Sequence, residues 1–410
     1  FLVGLAQTYA PGSYFTYPPL HMLWLALLDM PVIIIALCHA PTLTQHDIIA
    51  TFIHVPYMTF FAVTARLLSL VMSVATIVLI GRLTETIAGR KAGICAAAVC
   101  ALDAALIYYG QVSNLDGPYM FWSVLALWAW VRFLVEPRPR TLRWVALAAV
   151  AAIATKDQAY AVFLLTLPAS FLYWIACDST TRRNRTTILG PTLLWGSIGA
   201  ALLLLIDGAI TNPTGFAKRL AFLRGPASQD YAAYTADLAG RLRLLADMGL
   251  SFPRFYPSVG LILAVVGFGL MWRRSHGQPA LRAAGLVPAL AVLSFTLFFN
   301  CVALRTDNRF LLPQSVFIAP YIGLAVSWLI GLMQGGVRHA ARLGLAILAG
   351  LALYQCVGID AAMLHDPRYG AGYWMDTTVY AGGRVEVYGG KGVLARFPGL
   401  GCVLCVYHIP

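Results

Sequence analysis

Residues 111–140 read Q-V-S-N-L-D-G-P-Y-M-F-W-S-V-L-A-L-W-A-W-V-R-F-L-V-E-P-R-P-R. A polar turn with one carboxylate, Asp116, leads into an apolar run that ends at Val135, followed by a connection carrying Arg138 and Arg140. About 20 apolar residues in helical form cross the hydrocarbon core of a bilayer. Lys and Arg in short loops mark the cytoplasmic end of such a span. This one stretch therefore predicts a membrane span over 117–135 and assigns its two ends to opposite faces.

The same alternation extends in both directions. Basic clusters recur on every second connection: Arg82/Arg90/Lys91, Arg138/Arg140/Arg143, Arg182/Arg183/Arg185, Arg273/Arg274/Arg282 and Arg338/Arg342. The intervening connections carry mixed polar motifs instead: T-Y-P-P-L-H at 16–21, Q-V-S-N-L-D-G-P at 111–118, T-K-D-Q at 155–158 and R-T-D-N-R-F at 305–310. Apolar runs near 56–81, 92–110, 117–135, 142–156, 158–176, 188–208, 255–271, 284–304, 310–333 and 343–358 alternate correctly between these two sets. The short run at 142–156 forms a tight hairpin with 158–176 across Lys156 and Asp157. Segment 20–53 is broken by Asp29 and Pro31 and lacks Lys and Arg on both flanks. Proline removes a helix hydrogen bond, and broken backbone at membrane depth needs cover from protein or water. It reads as a re-entrant or broken pair of helices, with an ordinary span as the alternative. The expected fold class is an all-α polytopic membrane protein of about ten to twelve transmembrane helices.

Composition agrees. Of the 410 residues, 60% are hydrophobic and 11% charged, against about half and a quarter in soluble domains. The net charge of +12 invites a nucleic-acid reading, yet 15 of the 29 basic residues sit on the basic connections, Arg132 included. That excess is topology signal and argues against nucleic acid. The eight cysteines form no disulfide framework, and Cys402-x-x-Cys405 stands without a second pair, which fits a buried strand. The sequon at Asn184 falls on a basic, cytoplasmic connection, and Asn212 is excluded as an acceptor by Pro213. The chain begins within an apolar stretch without Met or a basic leader, so the expected N-terminus lies upstream of Phe1.

Two segments depart from the span pattern. Residues 209–254 form a long external loop in which Leu238, Leu242, Leu245 and Met248 recur at helical spacing, as in a helix lying in the membrane interface. From 359 onward the chain is charged and Gly-rich, with period-two runs at 384–388 and 403–407. The expected division is a transmembrane domain over 1–358 and the start of an external α/β region over 359–410.

The polar motifs supply the candidate chemistry. Asp116, beside Asn114, Tyr109 and Gln111, can bind a divalent cation or act as a base; it can equally serve a loop turn or cap the helix that follows. Lys156 and Asp157, next to Gln158, must at membrane depth pair with each other or with a ligand, and Lys156 suits a phosphate. Arg305 and Arg309 can fork onto phosphate oxygens, or snorkel to the interface with no ligand. Arg66 lies inside an apolar span and calls for a counter-charge from Asp29, Asp103 or a ligand. Tyr17, Pro18, Pro19 and His21 form an extended entry to the first apolar segment.

Taken in order, these motifs resemble the protein O-mannosyltransferase and aminoarabinose-transferase superfamily, the integral-membrane glycosyltransferases of the C superfamily. T-Y-P-P-L-H is similar to its Pro-Pro-Leu element, and the stretch ending Y-Y-G-Q-V-S-N-L-D-G-P to its aromatic pair and Asp. A-I-A-T-K-D-Q-A is similar to its Lys-bearing hairpin, R-T-D-N-R-F-L-L-P to its late Arg-bearing helix start, and G-R-V-E-V-Y-G to the start of its external tail.

The resemblance implies an inverting glycosyltransferase that uses a polyprenyl-phosphate-linked sugar on the external, periplasmic or lumenal, face, most simply of a bacterial inner membrane. It implies Asp116 as the acidic catalytic position and as a site for Mg or Mn. Lys156, Arg305 and Arg309 would hold the donor phosphate. Tyr17, His21, Tyr109, Gln111, Asn114, Asp157 and Gln158 would shape the site, among membrane lipids and with an acceptor of unspecified class. The superfamily's principal acidic residue lies upstream of the Pro-Pro element, and here no Asp or Glu precedes Asp29. The alternative function is a transporter or flippase, for which internal repeats and charges near the bilayer midplane would speak.

Overall fold

The structure is a computed structural model that describes residues 1–178, 185–225, 231–332, 338–378, 385–388 and 404–407. Arg182, Arg183, Asn184 and Cys402 lie outside the described residues.

The first unit, Phe1–Leu353, is helical. Among the described residues, seven helices are long and apolar enough to cross a membrane, or up to ten if each bent pair is one span. At its centre lies Asp116–Val135, whose side chains are buried along most of its length. It packs against Val55–Ala88, Pro139–Thr155 and Pro279–Phe295. Asn308–Leu332 lies against both Arg90–Ala101 and Val259–Arg274. Those last two contacts depend on small residues. A Cβ on Gly323 would sit 2.4 Å from the Ala96 Cα, and one on Gly267 would meet the Tyr321 carbonyl at 1.9 Å. Between membrane helices, where lipid is as apolar as leucine, such close backbone approach supplies much of the association.

Three spans are broken, each for a local reason. In 20–53, helices Leu20–Leu28 and Met30–His39 meet at 67° on either side of Asp29, with Pro31 in the first turn of the second, and Gln45–Phe52 follows. The run expected as one span at 92–110 is instead Arg90–Ala101 and Ala104–Gln111, bent by 62°. Asp103 makes that break. Its carboxylate caps the second helix, accepting from the amides of Ala105 (2.9 Å) and Leu106 (3.3 Å), and takes the Tyr256 hydroxyl at 3.3 Å. The run expected at 255–271 is Val259–Arg274, turned by 104° from the preceding segment that begins at Leu238.

Within 209–254 two helices form, Pro213–Arg224 and Leu238–Ser251. Asn212, fully buried, caps the first through Gly215 N (3.0 Å). The same side chain also accepts from Gly12 N (2.9 Å) and donates to the carbonyl of Ser13 (2.8 Å). The Asn-Pro-Thr that proline disqualifies as a sequon is thus a staple between the N-terminal segment and this loop. In the second helix Leu238, Leu242 and Leu245 are exposed, while Met248 packs partly buried against the core.

The second unit, from Tyr354, contains the end of Arg338–Leu364, the helix Pro367–Thr378 and two strands. Val385–Tyr388 and Leu404–Tyr407 pair in parallel, Val385 opposite Leu404.

Candidate functional site

Three of the polar turns that alternate with the basic clusters, at 111–118, 155–158 and 305–310, come together in the first unit. Two of the basic turns also meet each other: the Arg274 guanidinium lies 3.8 Å from the position of a Cβ on Gly89.

Asn114, not Asp116, makes the turn before the central helix. Its Oδ1 accepts from the Asp116 amide at 2.8 Å. Asp116 is thereby free of the capping duty that its position suggested, and its buried carboxylate accepts from Lys156 Nζ at 2.5 Å. Lys156 ends helix Pro139–Thr155 in an extended conformation (φ −153°, ψ 122°), which turns its side chain across to the neighbouring helix. Gln158, buried one turn on, donates to the Tyr119 hydroxyl at 2.9 Å. Of the two alternatives for Lys156 and Asp157, pairing with each other or with a ligand, the first is not seen: Lys156 pairs with Asp116 and Asp157 with Arg219. Lys156 is extended while Asp157 opens a 3-10 turn, so the backbone changes direction between them and each finds a different partner.

A single aromatic ring gathers the cations. Around Phe310 lie Lys156 Nζ at 5.9 Å, Arg305 Cζ at 4.7 Å and Arg309 Cζ at 4.6 Å. Lys156 Nζ is also 5.5 Å from the Tyr119 ring. Cation–π attraction of this kind gives about 0.5–2 kcal/mol per contact, enough to orient the side chains though not to neutralise them. Arg305 pairs with Asp307 at 3.0 Å, while Arg309 stands exposed.

The backbone before Arg305 is irregular in a way that delivers it there. Thr296–Asn300 is a π-helical turn, and Leu304 adopts a left-handed conformation (φ 53°). Asn300, fully buried, donates to the carbonyls of Arg305 (3.0 Å) and Phe310 (3.1 Å), pinning both ends of the turn. π-turns and left-handed non-glycine residues concentrate at functional sites.

Asp157 bonds to Arg219 of helix Pro213–Arg224, a residue that sequence reasoning missed. Arg219 is 1% exposed, also meets Asp207 at 3.4 Å, and lies 5.1 Å from the Phe15 ring. The signal was present: Asp157 and Asp207 flank apolar runs and need a buried cation. Asp207 lies twelve residues before Arg219 and closes the same buried group.

The other candidates divide. Tyr109 stacks edge-on with Tyr108 (5.0 Å), and its carbonyl lies against Gly117, so it borders Asp116. Gln111 ends the helix beside it. Tyr17 is exposed and His21 buried, and among the described residues neither bonds to the cation group. Arg66 is exposed and pairs with neither Asp29 nor Asp103 among the described residues. Among those residues no three His, Cys, Asp or Glu side chains come together as for a metal. Asp116, committed to an ammonium, does not by itself fit the divalent-cation site expected of it.

No protein-family model matches the chain, and no curated protein matches it in sequence. Solved structures do match in fold. The archaeal oligosaccharyltransferase AglB from Archaeoglobus fulgidus, in complex with an inhibitory peptide and a dolichol-phosphate, aligns with 91% of this chain and 51% of its own, at 14% identity and a TM-score of 0.52. The Archaeoglobus fulgidus oligosaccharyltransferase complexed with Zn and sulfate aligns with 92% of this chain and 49% of its own, at 15% identity and a TM-score of 0.52. ArnT from Cupriavidus metallidurans, in the apo state, aligns with 91% and 72%, at 14% identity and a TM-score of 0.51. The chain spans about half the length of the archaeal chains it matches. At these identities the likeness is one of fold alone, shared with an archaeal oligosaccharyltransferase and with ArnT.

Proposed function

We propose that this chain belongs to a glycosyltransferase that moves a sugar from a polyprenyl-phosphate donor to an acceptor at the external face of a membrane, most simply the periplasmic face of a bacterial inner membrane. The observation that carries the proposal is the convergence of Lys156, Arg305 and Arg309 on Phe310 beside the buried carboxylate of Asp116. Three cations against two carboxylates, Asp116 and Asp307, leave one positive charge in excess, with Arg309 exposed and suited to a phosphate. The dolichol-phosphate bound to a protein of the same fold supports the assignment of the donor's lipid class.

In such a transfer an acceptor lone pair attacks the anomeric carbon from the face opposite the phosphate, which gives inversion. The carbon–oxygen bond to phosphate breaks with its electron pair on the leaving oxygen. Cations already in place meet that charge without reorganising. Asp116 holds the Lys156 ammonium toward the phosphate and, as the buried carboxylate of the cation group, receives the acceptor's proton. A cavity of about 390 Å³ runs beside Asp157 and Arg219, with Ile153, Leu203, Leu220 and Phe299 in its walls. Apolar walls with one charged end suit the first isoprene units of a lipid phosphate.

The test is direct. The full-length protein in detergent, given a panel of lipid-linked sugars, should release polyprenyl phosphate from at least one of them. Absence of release across the panel, with polyprenyl phosphate itself failing to bind, would overturn the proposal.

A further inference from the structure

A second cleft adjoins the cation group and has the opposite chemistry. Its volume is about 400 Å³, and Tyr234, Asp247, Ser251, Arg254, Thr306 and Asp307 line it. It is built where the end of the long loop folds onto the Arg305 turn: Ala233 N donates to the Leu304 carbonyl at 2.9 Å. The Tyr234 hydroxyl lies 2.8 Å from both Asp247 Oδ2 and Thr306 Oγ1, joining three polar groups into one wall. Arg254 donates to Asn308 Oδ1 at 3.3 Å, which fixes the opposite rim. The Arg305–Asp307 ion pair is the partition between the two sites, since Arg305 faces Phe310 and Asp307 faces the cleft.

The lining selects among ligands. The two carboxylates of Asp247 and Asp307 outnumber the one guanidinium of Arg254, which disfavours a second phosphate or any other anion. Hydroxyls that both donate and accept, set beside carboxylates that only accept, match a ligand rich in hydroxyl groups. We infer that this cleft binds the acceptor, and that the acceptor presents a neutral, polyhydroxylated, saccharide-like headgroup to the cation group across the Arg305–Asp307 pair. The inference rests on the glycosyl-transfer reading for its role, while the binding chemistry stands on the cleft alone.

Neutral disaccharides of glucose, mannose, galactose and N-acetylglucosamine bearing a diazirine serve as probes for the full-length protein in detergent. At least one should label peptides within 234–254 or 306–308. Asp247→Asn and, separately, Ser251→Ala should each lower that labelling by about fivefold to tenfold, as expected for one lost hydrogen bond. Polyprenyl phosphate binding should stay within about twofold of wild type in both, which also shows that the variants are folded. Labelling elsewhere only, labelling insensitive to both substitutions, or equal competition by inorganic phosphate would each overturn the assignment. Saccharide labelling of the cleft without any polyprenyl phosphate binding would sink the donor reading and leave the cleft standing; the converse result would do the reverse.

Discussion

The Lys156–Asp116 pair separates a structural role from a functional one. Its side chains are 15% and 3% exposed, so the discount that applies to surface ion pairs is small here. Asp116→Asn leaves a buried ammonium without its counter-charge, and Lys156→Met leaves a buried carboxylate; each should cost about 3–5 kcal/mol of stability. The double variant Lys156→Met/Asp116→Leu removes both charges and fills similar volume, so it should recover to within about 1 kcal/mol of wild type. Donor binding should not recover with it. A charge-assisted hydrogen bond contributes about 1.5–3 kcal/mol, so polyprenyl phosphate should bind the double variant roughly tenfold to 150-fold more weakly. The assay is a double-mutant cycle by denaturant titration in micelles, run beside competition for a fluorescent polyprenyl phosphate. A double variant that regains both stability and wild-type affinity would remove Lys156 from the donor site and leave the pair a helix–helix clamp.

Three further outcomes follow from the geometry. Arg219→Met strands Asp157 and Asp207 and should lower stability by about 3–5 kcal/mol, with Asp157→Asn/Asp207→Asn in the same background restoring most of it in thermal unfolding; no restoration would mean the Arg219 stem, not its charge, matters. Gly323→Ala drives a methyl into Ala96 and should destabilise by about 1–3 kcal/mol, so an unchanged melting temperature would contradict the packing of Asn308–Leu332 on Arg90–Ala101. The Thr235 hydroxyl and then the Gly240 amide hold the Asp237 carboxylate below its ordinary range. Its capping contribution is therefore complete above the ordinary carboxylate value and lost as pH falls through the lowered one. Asp237→Ala should remove that pH dependence and speed tryptic cleavage at Arg241 about fivefold at neutral pH, and unaltered cleavage would show that the cap is idle.

Much of this arrangement was legible in the sequence. Apolar runs of membrane-spanning length and the basic turns between them are composition-level signals, and they located the long helices well. The breaks were harder. Asp103 reads as one polar residue in an apolar run, and only the distant Tyr256 and the local amides show that it ends a helix there. Lys156, Arg305 and Arg309 were legible as cations on one face, but their meeting at Phe310 was not, because a ring that collects charges looks like any other core aromatic. Arg219 was hidden by its neighbours: in K-R-L-A-F-L-R nothing in the local pattern tells the one buried arginine from exposed ones. The Asn300 staple and the left-handed Leu304 have no sequence signature at all, since both depend on where the Arg305 turn must go.

The extended geometry at Lys156 has a thermodynamic corollary. Two consecutive residues serve two ion pairs, Lys156 with Asp116 in the central bundle and Asp157 with Arg219 in the loop helix. They share one stretch of backbone, so the order of that stretch is common to both. A ligand that fixes Lys156 then stabilises Asp157 in place and, through Arg219, the helix Pro213–Arg224 with its Asn212 anchor to the N-terminal segment. By reciprocity, whatever orders that helix must raise affinity for the ligand by the same factor. Hydrogen exchange at 213–224 should therefore slow when polyprenyl phosphate is added, and Lys156→Met should weaken that protection even though the helix itself lines the lipid cavity.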